Sequence, residues 1–545
     1  MRRGAERRSL VLLPILLALG LPATARAAAV SEAEAVRVAN RDAKVVEERA
    51  KNPPLTRSAG LVDGNWEVGY FAGGTEVALV VVDSASGAVR ESWTGYQVTW
   101  KMARGYPGAF GHKLNAPHIF LPLCALFLLG LVDWRRPWRV VTLDLLVLLG
   151  FGISNYFFNR AEIGVSVPLQ YPVLCYLFGR ALWIGLGKRS AGLRPVWPAA
   201  WLLVAALFLM GFRAGLDVAD SGVIDVGYAG VVGADRISHG EPLYENFPDE
   251  ISQGDTYGPV NYLAYVPFEA IWPWQGSWND LPAAHAASVI FDVGAFAFLI
   301  LLGLRIRPGP AGRKLAATLA FGWAAFPYTA YALVSNSNDT LVGLLLLATL
   351  LVLAWPAARG AMLALATLTK FAPVVLAPML ATYRDAGSGP APFRRTLPGA
   401  LTFTAAFLGV VGLLLLWPAI DPGLSTVWGR TIAYQAGRDS PFSIWGQVPG
   451  LEPIRTALLI ATGALALALA FRPRRKALTQ VAALAAALLI ALQIAAQHWF
   501  YLYIVWFYPL LLIAISGAGR KPATPRSGAW RGGEHDRLDR VGEPL

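Results

Sequence analysis

The sequence predicts an all-α polytopic membrane protein of about eleven spans plus one broken helical hairpin, with a small N-terminal extracytoplasmic α+β domain. Three observations predict it. Hydrophobic residues make up 55% of the 545-residue chain and charged residues only 15%, against about 25% charged in a soluble globular protein. Apolar runs long enough to cross a bilayer as helices recur from residue 117 to residue 517. Basic residues sit in short clusters between those runs: Arg135/Arg136/Arg139, Lys188/Arg189, Arg305/Arg307/Arg313/Lys314, Arg472/Arg474/Arg475/Lys476 and Arg520/Lys521. That is the positive-inside pattern of cytoplasmic loops. It makes the net charge of +12 a topology signal and argues against nucleic acid as a partner. Cys124 and Cys175 both fall in apolar runs, so neither a disulfide framework nor a metal site is read from them.

Residues 1–29 read as a secretory signal or an anchor helix. MRRGAERR is a basic n-region, SLVLLPILLALGLPA an apolar core, and Ala25-Arg26-Ala27 a small-x-small cleavage site. Either reading places residue 30 outside the cytoplasm. Residues 30–110 form a polar domain. SEAEAVRVANRDAKVVEERAK has helical charge spacing, Asn65–Phe71 and Glu76–Asp83 read as strands, and Ser84-Ala85-Ser86-Gly87 turns into AVRESW. This order resembles the PepSY-type module, a small α+β unit outside the membrane. The resemblance implies a binding, regulatory or structural role.

Residues 111–190 hold three spans, at about 117–133, 139–158 and 170–187. Asp144 and Arg180 enter the second and third from the same face. They predict a buried ion pair or, alternatively, part of a lipid-phosphate site. The main membrane domain, 191–517, opens with a span at about 196–214. Gly258–Trp274 is apolar but broken by proline and has no basic end, which predicts a helix lying in the interface. A span at about 284–304 carries His285 and Asp292 on one helical face. Spans at about 314–334 and 340–357 bracket an outer turn, residues 335–340, containing Asp339. Gly360–Tyr383 is basic at both ends. It predicts a hairpin with Lys370 near the tip and Pro373 at the break. Spans at about 396–417 and 453–471 flank an outer loop at 418–452. The last two, about 477–496 and 500–517, meet outside at Gln497-His498-Trp499. Residues 518–545 read as a disordered cytoplasmic tail.

The stretch from Asp217 to Tyr262 stands apart. It lies between apolar segments yet holds Asp217, Asp220, Asp225, Asp235, Asp249 and Asp255, with Arg236, His239 and several tyrosines among them. Long connections are commonly functional. The topology places this loop, the turn at Asp339, the Arg430–Arg438 loop and His498 on one outer side. The spacing predicts a single extracytoplasmic site in a multi-pass plasma (inner) membrane protein.

Its chemistry is narrowed by exclusion. No His/Cys cluster has zinc spacing, no phosphate-binding glycine loop precedes a lysine, and no Gly-x-Ser-x-Gly elbow occurs with suitable partners. No metal and no cofactor are read. Carboxylates remain, able to deprotonate a hydroxyl that attacks a sugar. Arg, Lys and His can stabilise a departing phosphate, and Tyr offers faces for sugar rings.

The loop IDVGYAGVVGADRISHGEPLYE is similar to the first outer loop of GT-C membrane glycosyltransferases, especially glycosyltransferase family 87. The family pattern falls on Asp225, Tyr228 and Gly240-Glu241-Pro242-Leu243-Tyr244, and Tyr257-Gly258-Pro259 stands where the family has Tyr-Pro-Pro. LATLTKFAPVVLAPML resembles the family's Lys-x-x-Pro segment at Lys370 and Pro373. Arg438-Asp439-Ser440-Pro441-Phe442-Ser443 resembles its Arg-x-Ser-x-x-Ser stretch, and His498-Trp499-Phe500-Tyr501 its late outer histidine motif. The resemblance covers roughly 196–517 and omits the N-terminal domain and first three spans. It implies a GT-C-like fold and transfer of a sugar, often mannose, from a polyprenyl-phosphate carrier to an outer glycan or lipid acceptor. Asp225 would be the base, with Asp220 and Asp217 as competitors. Arg438, His498, Lys370 and Arg236 would face the donor phosphate. Tyr228, His239, Tyr244, Tyr257 and Asp339 would contact substrate. From the residues alone, Asp225 also reads as an N-cap for the following helix. A transporter or flippase, and a non-enzymatic membrane sensor, are the other classes.

Overall fold

The computed structural model describes residues 30–105, 111–187, 192–387, 397–438 and 440–517. The predicted signal segment, the tail and Asp439 lie outside the described residues. The chain divides into two compact units, one ending at Arg104 and one beginning at Gly105.

In the first unit the expected single helix is two, α1 (Glu32–Ala39) and α2 (Ala43–Lys51). Asp42 separates them, its carboxylate accepting from the Lys44 N–H at 2.9 Å as an N-cap. Four antiparallel strands follow as a meander, β1 (Thr56–Val62), β2 (Asn65–Ala72), β3 (Thr75–Asp83) and β4 (Val89–Thr94). β1 was not expected. Asp63-Gly64, both at positive φ, makes the tight turn into β2, and Asp-Gly is a strong hairpin signal. Alternate residues Val68, Tyr70, Ala78, Val80 and Val82 pack against Ala35, Val36, Ala39 and Val45, which closes one face of the sheet.

The second unit is helical. Its principal helices are α3 (Pro117–Leu131), α4 (Val140–Phe158), α5 (Ile163–Gly185), α6 (Ala199–Ala219), α7 (Asp225–His239), α8 (Pro282–Ile306), α9 (Gly309–Ala325), α10 (Pro327–Val334), α11 (Asp339–Leu351), α12 (Pro356–Thr369), α13 (Leu397–Pro418), α14 (Glu452–Phe471), α15 (Leu478–Ile494) and α16 (Ile504–Ile515). Among the described residues, five helical runs are long and apolar enough to cross a membrane: α4, α6, α8, α14 and the run begun by α13. This is compatible with a membrane-embedded protein. α9, α10, α15 and α16 are buried along most of their lengths and form the centre. A helix apolar all round belongs in such a place.

Apolar helices fall at the predicted span positions, five helical runs among the described residues being of membrane-crossing length and composition, and three expectations are corrected. The span expected at 314–334 is interrupted at Phe326, where Pro327 starts α10. The expected outer turn at Ser335–Thr340 is no surface loop, since every residue in it is buried. Its polar groups bond inward, including Asn338 to Asn261 and Asn336 Nδ2 to Ser221 Oγ at 3.1 Å. The loop expected at 418–452 is helical as far as Gly437, bent only at Asp421-Pro422-Gly423. The hairpin at Lys370 is present. α12 ends at Thr369, a 3₁₀ turn runs from Ala372 to Leu376, and the chain returns so that Arg359 Nε donates to Leu380 O at 2.9 Å.

Buried charges join the helices in pairs. Arg180 on α5 meets Asp144 on α4 at 2.8 Å, the ion pair that the sequence predicted. α6 and α8 are joined twice, by Arg213 with Asp292 and by His285 Nδ1 with Asp217 Oδ2 at 3.2 Å.

Candidate functional site

Asp225 is positioned by the close seating of α7. Gly227, Gly230 and Gly233 recur at helical spacing on one face. A Cβ there would lie 2.2 Å from Asn336 O, 2.6 Å from the Tyr265 ring and 2.2 Å from the Tyr262 ring, respectively. Only a strip without side chains lets α7 press onto the buried 335–340 turn and the two tyrosines. Gly240, at φ +69°, closes the helix in the left-handed conformation, and the Glu241 N–H returns to Arg236 O at 2.9 Å.

Asp225 is the first residue of α7 and not its N-cap, which is Ile224. Its carboxylate accepts from the Val226 N–H at 2.9 Å. The side chain is open to solvent. The protein around it displaces water and raises its pKa above the ordinary carboxylate range. The Val226 N–H, Arg438 and Lys370 act against the rise, and Asp339 adds to it. Asp225 therefore lies within electrostatic reach of three residues from distant parts of the chain.

Two of them, Lys370 and Arg438, line a cavity of about 370 Å³. Tyr257 and Thr256 come from the central loop, and Lys370 from the hairpin tip. Ile432, Gln435, Ala436 and Arg438 come from the helical arm beyond the bend, Arg455 and Leu459 from α14, and Gln497 and His498 from the turn between α15 and α16. Lys370 Nζ lies 2.6 Å from Asp339 Oδ1 and 5.1, 5.4 and 5.5 Å from the ring centres of Tyr257, Tyr503 and Trp506. Asp339 also accepts from Trp506 Nε1 at 2.8 Å and from the Ser337 hydroxyl.

His498 Nδ1 is 2.8 Å from Ser440 Oγ. Burial, then the charges of Arg438 and Lys370, push its pKa well below the ordinary histidine value, so the ring is neutral at pH 7. Burial also raises the Tyr257 pKa, with Asp225 the next cause, and the phenol stays protonated. Arg438, Arg455 and Lys370, a neutral imidazole and a half-buried phenol thus share one cavity whose remaining wall is largely apolar. Such a lining can hold an anionic head beside an apolar tail.

Of the residues singled out in the sequence, Lys370, Arg438, His498 and Tyr257 line this cavity, and Asp339 and Asp225 adjoin it. The others have partners elsewhere. Asp217 is buried against His285, and Asp220 ends α6 with Lys113 at 3.2 Å. Arg236 donates to Pro242 O and Asn246 O at 2.8 and 3.1 Å, clamping the loop after α7. His239 is exposed and its Nδ1 faces Asp235 O at 2.9 Å. Tyr228 stacks on Trp278 at 4.8 Å, and the Tyr244 hydroxyl donates to Tyr257 O at 3.0 Å. The expected interfacial helix at 258–274 is two short turns, Pro259–Leu263 and Val266–Glu269, with Tyr262 and Tyr265 buried beneath α7.

Sequence reasoning missed Arg455, Trp506 and the role of Arg430. Arg430 makes two 2.6 Å bonds to the fully buried Asp255 and a third, also 2.6 Å, to Ser252 O. This clasp fastens the arm that carries Arg438 to the loop that carries Tyr257. The glycine triplet Gly227/Gly230/Gly233 was a readable signal for the tight seating of α7; the Arg430–Asp255 pairing had none. No protein-family model matches the chain, and no curated protein matches it.

Proposed function

We propose that the chain is a GT-C-type glycosyltransferase of the plasma membrane that takes a sugar from a polyprenyl-phosphate carrier and passes it to an extracytoplasmic glycan or lipid. One observation carries the reading. Residues from four separated segments, Tyr257, Lys370, Arg438 and His498, meet around one cavity, with an accessible carboxylate, Asp225, in electrostatic range. Asp225 takes the proton of an acceptor hydroxyl. That oxygen forms a bond to the anomeric carbon while the bond from that carbon to the carrier phosphate oxygen breaks, and the phosphate leaves on the lipid with the bonding electrons. Arg438 and Arg455 balance its charge. Neutral His498 offers a hydrogen bond without adding charge. The apolar wall formed by Ile432, Ala436, Leu459 and Leu492 suits the first carbons of a lipid chain.

The test is sugar transfer by the purified protein, offered radiolabelled polyprenyl-phosphate sugars. Asp225→Asn should abolish transfer while carrier binding persists. Asp217→Asn should leave the rate per folded molecule unchanged, because Asp217 serves the α6–α8 contact. Normal turnover by Asp225→Asn removes that residue from the reaction. Absence of both binding and turnover with every carrier removes the glycosyltransferase reading.

A further inference from the structure

A second cavity, of about 810 Å³, lies against α4 and α5, apart from the site above. Its walls include Trp138, Arg139, Tyr176, Arg180 and Trp183, with apolar Val140, Val141 and Leu143. It sits where α4 begins and α5 ends. The segment leading into α4, DWRRPWR, carries one acidic and three basic residues, and Arg135 and Arg136 are exposed. Trp134, Trp138 and Trp183 are exposed as well, at 50%, 98% and 55%. Large exposed indoles would be a liability on a water-facing surface, but they are at home where hydrocarbon meets headgroups. Arg139 is held in place by Asp133 at 3.3 Å and Gly192 O at 2.8 Å. Arg180 is fixed by the fully buried Asp144, which the Tyr176 hydroxyl also bonds at 2.8 Å. The guanidinium groups are thus pre-positioned on the wall of a groove flanked by two apolar helices.

We propose that this groove is a binding site for an anionic glycerophospholipid. Its headgroup phosphate would lie at Arg139 and Arg180, and its acyl chains along Val140, Leu143 and the exposed flank of α5. Basic pockets between membrane helices recognise acidic headgroups in this way. Charge complementarity selects the occupant: Arg135 and Arg136 leave a net positive charge on the DWRRPWR segment, which a zwitterionic headgroup does not match. The inference rests on α4 and α5 being membrane helices and is independent of the glycosyltransferase reading.

The test is native mass spectrometry of the delipidated full-length protein in detergent, titrated with phosphatidylglycerol, phosphatidylcholine, a polyprenyl phosphate and inorganic phosphate. Phosphatidylglycerol should be retained at least ten-fold more tightly than phosphatidylcholine. The exposed pair Arg135→Gln/Arg136→Gln should lower its retention by about thirty-fold, from the contribution of two arginines near an anionic surface. Because removing Arg180 alone would strand Asp144, the paired variant Asp144→Asn/Arg180→Gln is used for the groove wall, and it too should lose the preference. Equal retention of the two phospholipids, or a preference untouched by both variants, overturns the proposal. Polyprenyl-phosphate retention that falls with the groove-wall variant as much as phosphatidylglycerol retention does, or full competition by inorganic phosphate, overturns the assigned occupant.

Discussion

Lys370→Met and Asp339→Asn remove opposite halves of one buried pair, and the structure predicts unequal costs. The side chains are 7% and 1% exposed. Without Lys370, Asp339 keeps only neutral donors, Trp506 Nε1 at 2.8 Å and the Ser337 hydroxyl. Breaking a buried pair from one side costs about 3–5 kcal/mol, and Lys370→Met should reach that range. Without the Asp339 charge, Lys370 still faces three aromatic rings at 5.1 to 5.5 Å. A desolvated cation–π contact contributes roughly 2 kcal/mol, so Asp339→Asn should cost only about 1–3 kcal/mol. The double variant strands no charge and should recover most of the Lys370→Met loss. The assay is denaturant unfolding in one fixed detergent, followed by tryptophan fluorescence, on the four proteins side by side. Equal losses for the two single variants, or a double variant as unstable as Lys370→Met, would refute this account of the pair. Transfer then separates structure from function. A stable double variant with full activity would remove Lys370 from phosphate binding.

Two further outcomes follow from the site. In the proposed reaction Asp225 must be ionised to act as the base, and its pKa is raised; transfer should therefore fall on acidification with a midpoint above about 3.9, the ordinary Asp value. The linked stability has the opposite slope: a carboxyl raised on folding favours the folded state below its unfolded pKa, and that contribution is lost as pH rises through the folded pKa. Asp225→Asn should match the parent in acid and exceed it at neutral pH. An acid limb at or below the ordinary value, or a variant less stable at pH 7, contradicts this. Arg430→Ala leaves Asp255 buried with the Glu245 N–H at 2.7 Å and should cost about 3 kcal/mol. It should raise the carrier KM far more than it lowers kcat, with partial recovery in Arg430→Lys. A pure kcat effect would show that the clasp does not shape the cavity.

The apolar framework was legible because membrane-length helices announce themselves by composition, and basic clusters punctuate them. Proline at the start of α3, α8, α10 and α12 is a helix-start signal that the sequence reading left unused, and the break at Pro327 was missed for that reason. The other failures share a cause. The turn at Ser335–Thr340 is polar, and polar stretches between apolar runs read as surface. Here Asn336 Nδ2, Asn338 Nδ2 and the Asp339 carboxylate bond inside, to Ser221, Asn261 and Lys370, and a one-dimensional pattern cannot reveal partners 31 to 115 residues away. The arm beyond Pro418 was read as loop because Asp421-Pro422-Gly423 is a breaker signal; the chain bends there and resumes its helix. At the site, Lys370, Arg438 and His498 were readable from motif order. Arg455 was not, since an arginine near the start of an apolar helix looks like any interfacial charge.

The distribution of carboxylates separates framework from chemistry. Among the described residues of the helical unit, five aspartates are buried: Asp144, Asp217, Asp255, Asp292 and Asp339. Each faces a cation or a histidine: Arg180, His285, Arg430, Arg213 and Lys370. Burying an ionised carboxylate costs several kcal/mol unless such a partner is present, so these pairs are what folding requires of charge in an apolar interior. Asp225 does not fit that rule. Its hydrogen bond comes from the N–H of its own helix, its side chain remains accessible, and the neighbouring cations act on it through space. A carboxylate locked to a guanidinium has its lone pairs engaged and its basicity lowered. One that is water-accessible, raised in pKa and held at the start of a rigid helix can still accept a proton from an incoming hydroxyl. Asp217 and Asp220 lose their claim as bases on the same ground, because each already has a cationic or histidine partner at the end of α6.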